Sequence, residues 1–163
     1  TDGSVASERL LLDRNTLLHL NESLLLFFTG LTRKAEGVLS EQRQNIQSRL
    51  AELNELKAMA YQARDELLRG NIEALGGLLD RNWALKKRLA SNVSNPEIDA
   101  MYAAARSAGA LGGKITGAGG GGFLLLFCPP DRRAAVRQAL HGRQELPFTL
   151  EPNGSKVIFD YRR

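Results

Sequence analysis

The sequence predicts an α+β domain, a ferredoxin-like βαββαβ sandwich with extra helices in its first crossover. Two observations carry this prediction. Apolar residues recur at helical spacing through the middle of the chain, and short apolar runs bounded by glycine or proline stand on either side of it. The resulting order is strand, helices, two strands, helix, strand. With 163 residues, 43% of them apolar, we expect one domain over residues 1–163.

The first predicted elements are short. Residues 8–13 form an apolar run between charged residues, which favours a strand, and residues 16–23 suit one or two helical turns. Leu24–Phe28 is a run of five apolar residues that Thr29-Gly30 stops, so it predicts a buried strand.

Helices follow this strand. Thr32 is placed to cap the first helix, and the apolar period continues through residues 35–46 and 53–67 until Gly70 ends it.

A third helical segment covers residues 72–89, and we expect Gly76-Gly77 to interrupt it. Asn95-Pro96 is the cap and first residue of a further helix, with Gly109 as its C-terminal glycine.

The C-terminal third changes to shorter elements. Strands are predicted at residues 113–116 and 123–128, and Pro129-Pro130 begins a helix that Gly142 ends. The last two predicted strands are residues 148–151 and 156–161.

Composition argues against several function classes. The net charge of +4 comes from interspersed charges without a basic block, and aromatic residues are 6%, which disfavours a nucleic-acid partner. Cys128 is the single cysteine, so no intramolecular disulfide forms and we expect a cytoplasmic protein. The longest apolar run is too short to span a bilayer, so we expect no membrane association. Because the chain starts at Thr1 instead of Met, we expect a fragment of a longer protein.

A run of glycines at residues 117–122 is the feature that points to function. It matches the dinucleotide pattern G-x-G-x-x-G, but that pattern needs a following helix, and a strand follows here. A Walker A loop is excluded because Gly113-Lys114 is followed by Ile115. A glycine loop between two strands remains, which offers backbone N–H groups to an anion or lets another backbone approach closely. An ordinary glycine-rich hairpin is the alternative.

The sequence KITGAGGGGFLLLF at residues 114–127 closely resembles the third conserved motif of the GHMP kinase superfamily. Residues 26–35, 108–114 and 153–158 resemble other segments of its sugar kinases, so the resemblance covers nearly the whole chain. Within the superfamily, the chain resembles the kinases of D-glycero-D-manno-heptose 7-phosphate and the C-terminal region of fucose kinases.

This resemblance implies a two-domain kinase of which the chain is the C-terminal part. Family members carry a Pro-x-x-x-Gly-Leu-Gly-Ser-Ser loop for ATP and an acidic catalytic residue in their N-terminal half, and this sequence contains no Gly-Leu-Gly-Ser-Ser. We therefore expect the partner to be the protein's own N-terminal domain and the substrate to be a sugar phosphate. ATP and Mg²⁺ would be cofactors of the intact enzyme. The chain by itself would bind neither, would contain no catalytic residue and would be inactive.

The resemblance places the glycine loop near the transferring phosphate. Arg33, at the start of a helix, suits bidentate pairing with a sugar phosphate, although a solvated arginine is the alternative. Lys114 suits an anionic substrate or is an edge lysine. The predicted ATP- and substrate-binding residues are Thr29, Arg33, Lys114, Thr116, Gly117, Ala118, Gly119, Gly120, Gly121 and Gly122. No metal-ligand spacing is present, so no metal site is predicted.

A second function class stays open at this point. The alternative is a stand-alone ferredoxin-like module that binds a small molecule or nucleotide by itself. The sequence makes no prediction of oligomeric state.

Overall fold

The computed structural model describes residues 9–32, 35–151 and 154. Within them the fold is α+β, with six α-helices and a small antiparallel sheet. The elements are α1 Arg14–Ser23, β1 Leu24–Phe28, α2 Ala35–Gln44, α3 Leu50–Leu68, α4 Ala74–Lys86, α5 Pro96–Ser107, β2 Gly112–Ile115, β3 Phe123–Phe127 and α6 Arg133–Ala139, the last preceded by a 3₁₀ turn at Pro130–Arg132.

The sheet has the order β1-β3-β2, and both pairs are antiparallel. Beyond α6 the chain returns along the outer edge of β1. There the Phe28 N–H donates to the Gln144 carbonyl at 2.8 Å, and the Leu146 N–H donates to the Leu26 carbonyl at 2.8 Å. The outer edge of β1 is therefore covered by protein, and β3 lies at the centre of the sheet.

The ends of the helices follow the local sequence. The Asp13 carboxylate accepts the N–H groups of Asn15 and Thr16 at the start of α1. Asn95 accepts the Ile98 N–H at 3.0 Å, and Pro96 is the first residue of α5, as predicted. These caps fix where α1 and α5 begin.

The main core lies between one face of the sheet and helices α4, α5 and α6. Its fully buried side chains include Phe27, Trp83, Ile98, Leu124 and Val136. Two smaller clusters extend it, one around Leu20, Ile72 and Phe127 and one around Met59, Leu78 and Leu85. The loop between β2 and β3 therefore starts and ends on strands that are anchored in this core.

The structure contradicts three predictions. α4 continues through Gly76 and Gly77 instead of being interrupted there. The reason for a glycine at position 76 is packing: a Cβ would lie 2.4 Å from the Cβ of Leu111, and its absence lets α4 pack against the chain at β2. Residues 9–13 form no strand, since Asp13 caps α1. Residues 148–151 form no strand either, and the Leu150 N–H is bound by the Asn21 side chain.

The four-stranded order of the predicted ferredoxin-like sandwich is not complete within the described part of the chain. The prediction of a strand at residues 156–161, and that of Arg33 as a site residue, lie outside the described residues.

Candidate functional site

The glycine loop connects β2 to β3 and consists of residues 116–122. Gly117, Gly119, Gly120 and Gly122 have φ angles of +72°, +108°, +79° and +89°, which is the left-handed region that side chains disfavour. The path of this loop therefore requires glycine at most of its positions, which an ordinary two-residue hairpin turn does not.

Hydrogen bonds to two neighbouring segments hold the second half of the loop. The Gly120 N–H donates to the Val93 carbonyl at 2.7 Å, and the Gly122 N–H donates to the Leu31 carbonyl at 2.8 Å. In return, the Gly122 carbonyl accepts both the N–H and the hydroxyl of Thr29, each at 2.9 Å. This half of the loop is part of the folded core of the domain.

Close backbone packing accounts for two of the glycines. A Cβ on Gly119 would lie 2.8 Å from the carbonyl oxygen of Val93, and a Cβ on Gly121 would lie 2.8 Å from that of Leu31. The close approach that the sequence suggested is therefore made here to backbone of the same chain.

The first half of the loop is open. Gly117 is exposed, and a Cβ added there would meet no atom within 4 Å. Among the described residues, no acceptor takes the N–H groups of Gly117, Ala118 or Gly119. Successive unpaired N–H groups form a concave surface with partial positive charge, which suits an anion.

An open groove of about 290 Å³ runs between this loop and the start of α2. It is lined by Thr32, Ala35, Thr116, Gly117, Ala118, Gly119, Gly121 and Gly122. The first turn of a helix carries partial positive charge, so it adds to the anion preference of the loop N–H groups.

The two predicted threonines have different surroundings. Thr29 is 1% exposed, and its hydroxyl is used inside the domain to hold Gly122. Thr116 is exposed in the groove, while its N–H and hydroxyl donate to the Phe123 carbonyl at 2.9 and 3.3 Å and close the loop. The structure therefore places Thr116 at the groove surface and Thr29 beneath the loop.

Sequence reasoning missed Lys86. This residue lies in the last turn of α4, and its ammonium donates a hydrogen bond to the Gly117 carbonyl. Burial, and then the charge of Lys114, lower the pKa of Lys86 to about 8. Burial also lowers the pKa of Lys114. Lys86 is distant from the loop in sequence, so its only sequence signal was a basic residue near the end of a predicted helix.

Arg143 was missed as well. Its guanidinium donates to the Thr29 carbonyl at 2.9 Å and to the Glu97 carboxylate at 2.8 Å. It thereby fixes the turn after β1 on which the glycine loop rests.

Other site types find no support in the described part of the chain. No group of three or more His, Cys, Asp or Glu side chains is arranged to hold a metal ion within it. The helices in the same residues include none with the length and apolar character needed to cross a bilayer.

Comparison with known proteins gives a family match that includes the glycine loop. The family model described as GHMP kinases C terminal matches residues 63–144, which include α4, α5, β2, the glycine loop and β3. The D-glycero-alpha-D-manno-heptose 7-phosphate kinase of Campylobacter jejuni is 30% identical over 133 residues, which cover 78% of this chain and 39% of that protein.

Two further relatives extend the comparison. The L-fucokinase/L-fucose-1-P guanylyltransferase of Bacteroides fragilis is 36% identical over 117 residues, which cover 69% of this chain and 12% of that protein. The crystal structure of L. major mevalonate kinase in complex with R-mevalonate superposes with a TM-score of 0.65 at 25% identity, over 75% of this chain and 40% of that one.

The chain thus spans less than half the length of each of these relatives. The family model covers about half of the chain and includes the whole loop between β2 and β3. On this match, the chain belongs to the GHMP kinase family and contains the family's C-terminal region.

Proposed function

We propose that the chain is the C-terminal domain of an ATP-dependent kinase that phosphorylates a sugar or sugar phosphate, with D-glycero-D-manno-heptose 7-phosphate as the substrate. The observation that carries the proposal is the open half of the glycine loop, whose N–H groups have no acceptor among the described residues and whose residues line an open groove. Phosphoryl transfer depends mainly on positioning and on stabilising negative charge, and fixed backbone N–H groups provide both.

In this proposal the loop forms one wall of the active site, and an N-terminal domain provides the other. That domain would bind ATP with its Mg²⁺ and supply the catalytic acidic residue. The residues of this chain that would contact ATP or the substrate are Arg33, Lys114, Thr116 and the open loop positions, while Thr29 would support the loop from below. A completed ferredoxin-like sheet, with residues 156–161 as its fourth strand, belongs to the same proposal.

Heptose 7-phosphate is taken as the substrate because the Campylobacter jejuni relative is 30% identical over 78% of the chain. A sugar phosphate also brings a second anionic group, which would suit the basic side chain of Lys114 on β2. The loop alone does not distinguish heptose 7-phosphate from mevalonate, so the assay must include both.

The experiment introduces charge into the open half of the loop. Gly117 is the position of choice, because Asp and Asn tolerate positive φ and a side chain there has free space. In the intact two-domain protein, Gly117→Asp should lower kcat/KM by at least about tenfold, since a carboxylate near the transferring phosphate repels it. Gly117→Asn has nearly the same shape without the charge, and it should lose less.

The assay follows ATP-dependent phosphorylation of heptose 7-phosphate, fucose and mevalonate by ³¹P NMR. Gly77→Ala is the control, since that glycine lies in α4 with nothing within 4 Å of an added Cβ. Equal losses for the Asp and Asn variants would contradict the electrostatic role of the loop. A preference for mevalonate would overturn the substrate, and an intact protein that phosphorylates none of the three would overturn the kinase itself.

A further inference from the structure

Two lysines converge next to the glycine loop from neighbouring elements. α4 and β2 lie side by side and run in the same direction. Gly76 contacts Gly112 near the start of both elements, and Lys86, the last residue of α4, contacts Gly117, which follows the end of β2. Lys114, on β2, reaches the same side, where it lies beside Asn82 of α4. Both lysine side chains are half-buried.

Neither lysine is neutralised by a carboxylate among the residues that the structure describes. The nearby acids have other partners: Asp80 accepts from the Tyr102 hydroxyl at 2.5 Å and pairs with Arg106, and Asp99 pairs with Lys87. Two like charges are thus held in a partly desolvated place, which is unfavourable unless an anion joins them.

The pKa values agree with this geometry. The charge of Lys114 contributes to the lowered pKa of Lys86, so the two ammonium groups are close enough to repel each other. A bound dianion would remove this repulsion and raise both pKa values toward their usual range. Groups whose charges are unfavourable in the free protein are often found at ligand sites.

We propose that Lys86 and Lys114 form a binding site for a phosphate ester at the edge of the glycine loop. In the free protein, the Gly117 carbonyl occupies one of the three donors of the Lys86 ammonium, which leaves two for an incoming oxygen. Lys114 supplies the second charge from β2.

Lys86 also orients the loop for such a ligand. The C=O and N–H of a trans peptide point in opposite directions, so a Gly117 carbonyl directed at Lys86 turns the Ala118 N–H to the other side of the loop. The loop therefore presents a lysine side and an N–H side. A phosphate on the lysine side is distinct from one held by the N–H groups.

This inference rests on the proposed function only for the identity of the ester, which would be the sugar phosphate or the nucleotide. The anion site itself stands on the lysines of this chain. This proposal departs from the prediction that the chain alone binds no cofactor. We expect the chain alone to bind a phosphate ester weakly, with a Kd of about 1 mM.

The test uses the 163-residue chain and three probes: inorganic pyrophosphate, ATP and heptose 7-phosphate. Binding is followed by NMR on the lysine side-chain CH₂ groups next to the ammonium. Lys86→Met and Lys114→Met should each weaken binding by about tenfold, because each removes a charge-assisted contact. Lys86→Arg should retain most of the binding.

Lys87→Met is the matched control, since it removes the same charge one residue away from a lysine already paired with Asp99 at 3.1 Å. Addition of pyrophosphate to the wild-type chain should raise the measured pKa of Lys86. Thermal melting of each variant shows that it remains folded.

The outcomes separate the possibilities. If ATP and pyrophosphate bind and heptose 7-phosphate does not, the site belongs to the nucleotide. If only heptose 7-phosphate binds, the site belongs to the substrate. Both results support the lysine site. Equal weakening by Lys87→Met, or an effect of Lys86→Met without one of Lys114→Met, would overturn it. If the chain binds phosphate but the intact protein has no kinase activity, the proposed function is wrong and the lysine site is still supported. If the intact protein is an active kinase and both methionine variants keep wild-type turnover and phosphate binding, the lysine site is wrong and the proposed function is still supported.

Discussion

Two glycine-rich regions of this domain use the missing Cβ in different ways. Where α4 packs on β2, Gly76 and Gly112 bring two backbones together, and neither has a positive φ. In the loop at residues 116–122, four glycines adopt left-handed conformations, and the first half of the loop keeps its N–H groups unpaired. The first region holds the fold together, and the second presents backbone to a ligand.

This difference shows how to distinguish structural glycines from functional ones. A structural glycine has ordinary φ and a neighbour where its Cβ would lie. A functional glycine has positive φ, open space and an N–H without an acceptor. The loop contains both kinds, because Gly121 has no positive φ and packs against Leu31, while Gly117 meets nothing. Gly119 combines a positive φ with close packing on Val93.

The largest expected effect comes from a substitution that breaks the packing contact between α4 and β2. A Cβ in Gly112→Ala would lie 1.9 Å from the Gly76 carbonyl oxygen and 2.8 Å from the Asp80 nitrogen, and both are backbone atoms that cannot move aside singly. We expect a loss of about 3 kcal/mol or more in the free energy of unfolding, measured by urea denaturation.

Gly77→Ala is the comparison for that variant. Gly77 lies in α4, the helix that packs on Gly112, and an added Cβ there would meet nothing within 4 Å, so this variant should be neutral or more stable by up to about 1 kcal/mol. If Gly112→Ala were as stable as Gly77→Ala, the close packing of α4 on β2 would be wrong.

The next largest effect is a difference in stability between substitutions in the two halves of the glycine loop. Gly119→Ala combines left-handed strain at φ +108° with a Cβ 2.8 Å from the Val93 carbonyl oxygen, and should cost about 2 to 3 kcal/mol. Gly117→Ala has strain at φ +72° but free space, and should cost about 1 kcal/mol. Urea denaturation of the two variants measures the difference, and equal losses would show that the halves of the loop do not differ.

The sequence predicted the local structure well where capping and periodicity decide it. β1, α3, α5, β2 and β3 agree with the predicted elements to within a few residues. Gly76 was misread because an isolated glycine in a helical pattern looks like an interruption, and only the packing of Leu111 and Gly112 against it explains why the helix continues.

The site was predictable only in part, for a similar reason. The glycine loop is contiguous in sequence and was found. Lys86 and Arg143 reach the loop and its supporting turn from distant elements, and nothing in their local sequence marks them. Tertiary packing brings Lys86 to Gly117, so the second set of charges near the loop becomes visible only in three dimensions.

The last expected effect is a pH dependence that separates the lysine side of the loop from the packing contact. The pKa of Lys86 falls from 10.5 to about 8 on folding, chiefly through burial, so between these values the unfolded chain binds more protons than the folded one. Stability contributed by this group therefore rises from about pH 8 to pH 10.5, and the cost of its charge is fully present below pH 8. The pKa of the Cys128 thiol is raised by burial and acts in the opposite direction at high pH, so the measurement must be a difference between variants. Relative to Lys86→Met, the wild-type free energy of unfolding should increase across this range. A flat difference for Lys86→Met would mean that its ammonium is as well solvated in the folded chain as in the unfolded one, and the lysine side of the loop would then carry no unbalanced charge for a phosphate to neutralise.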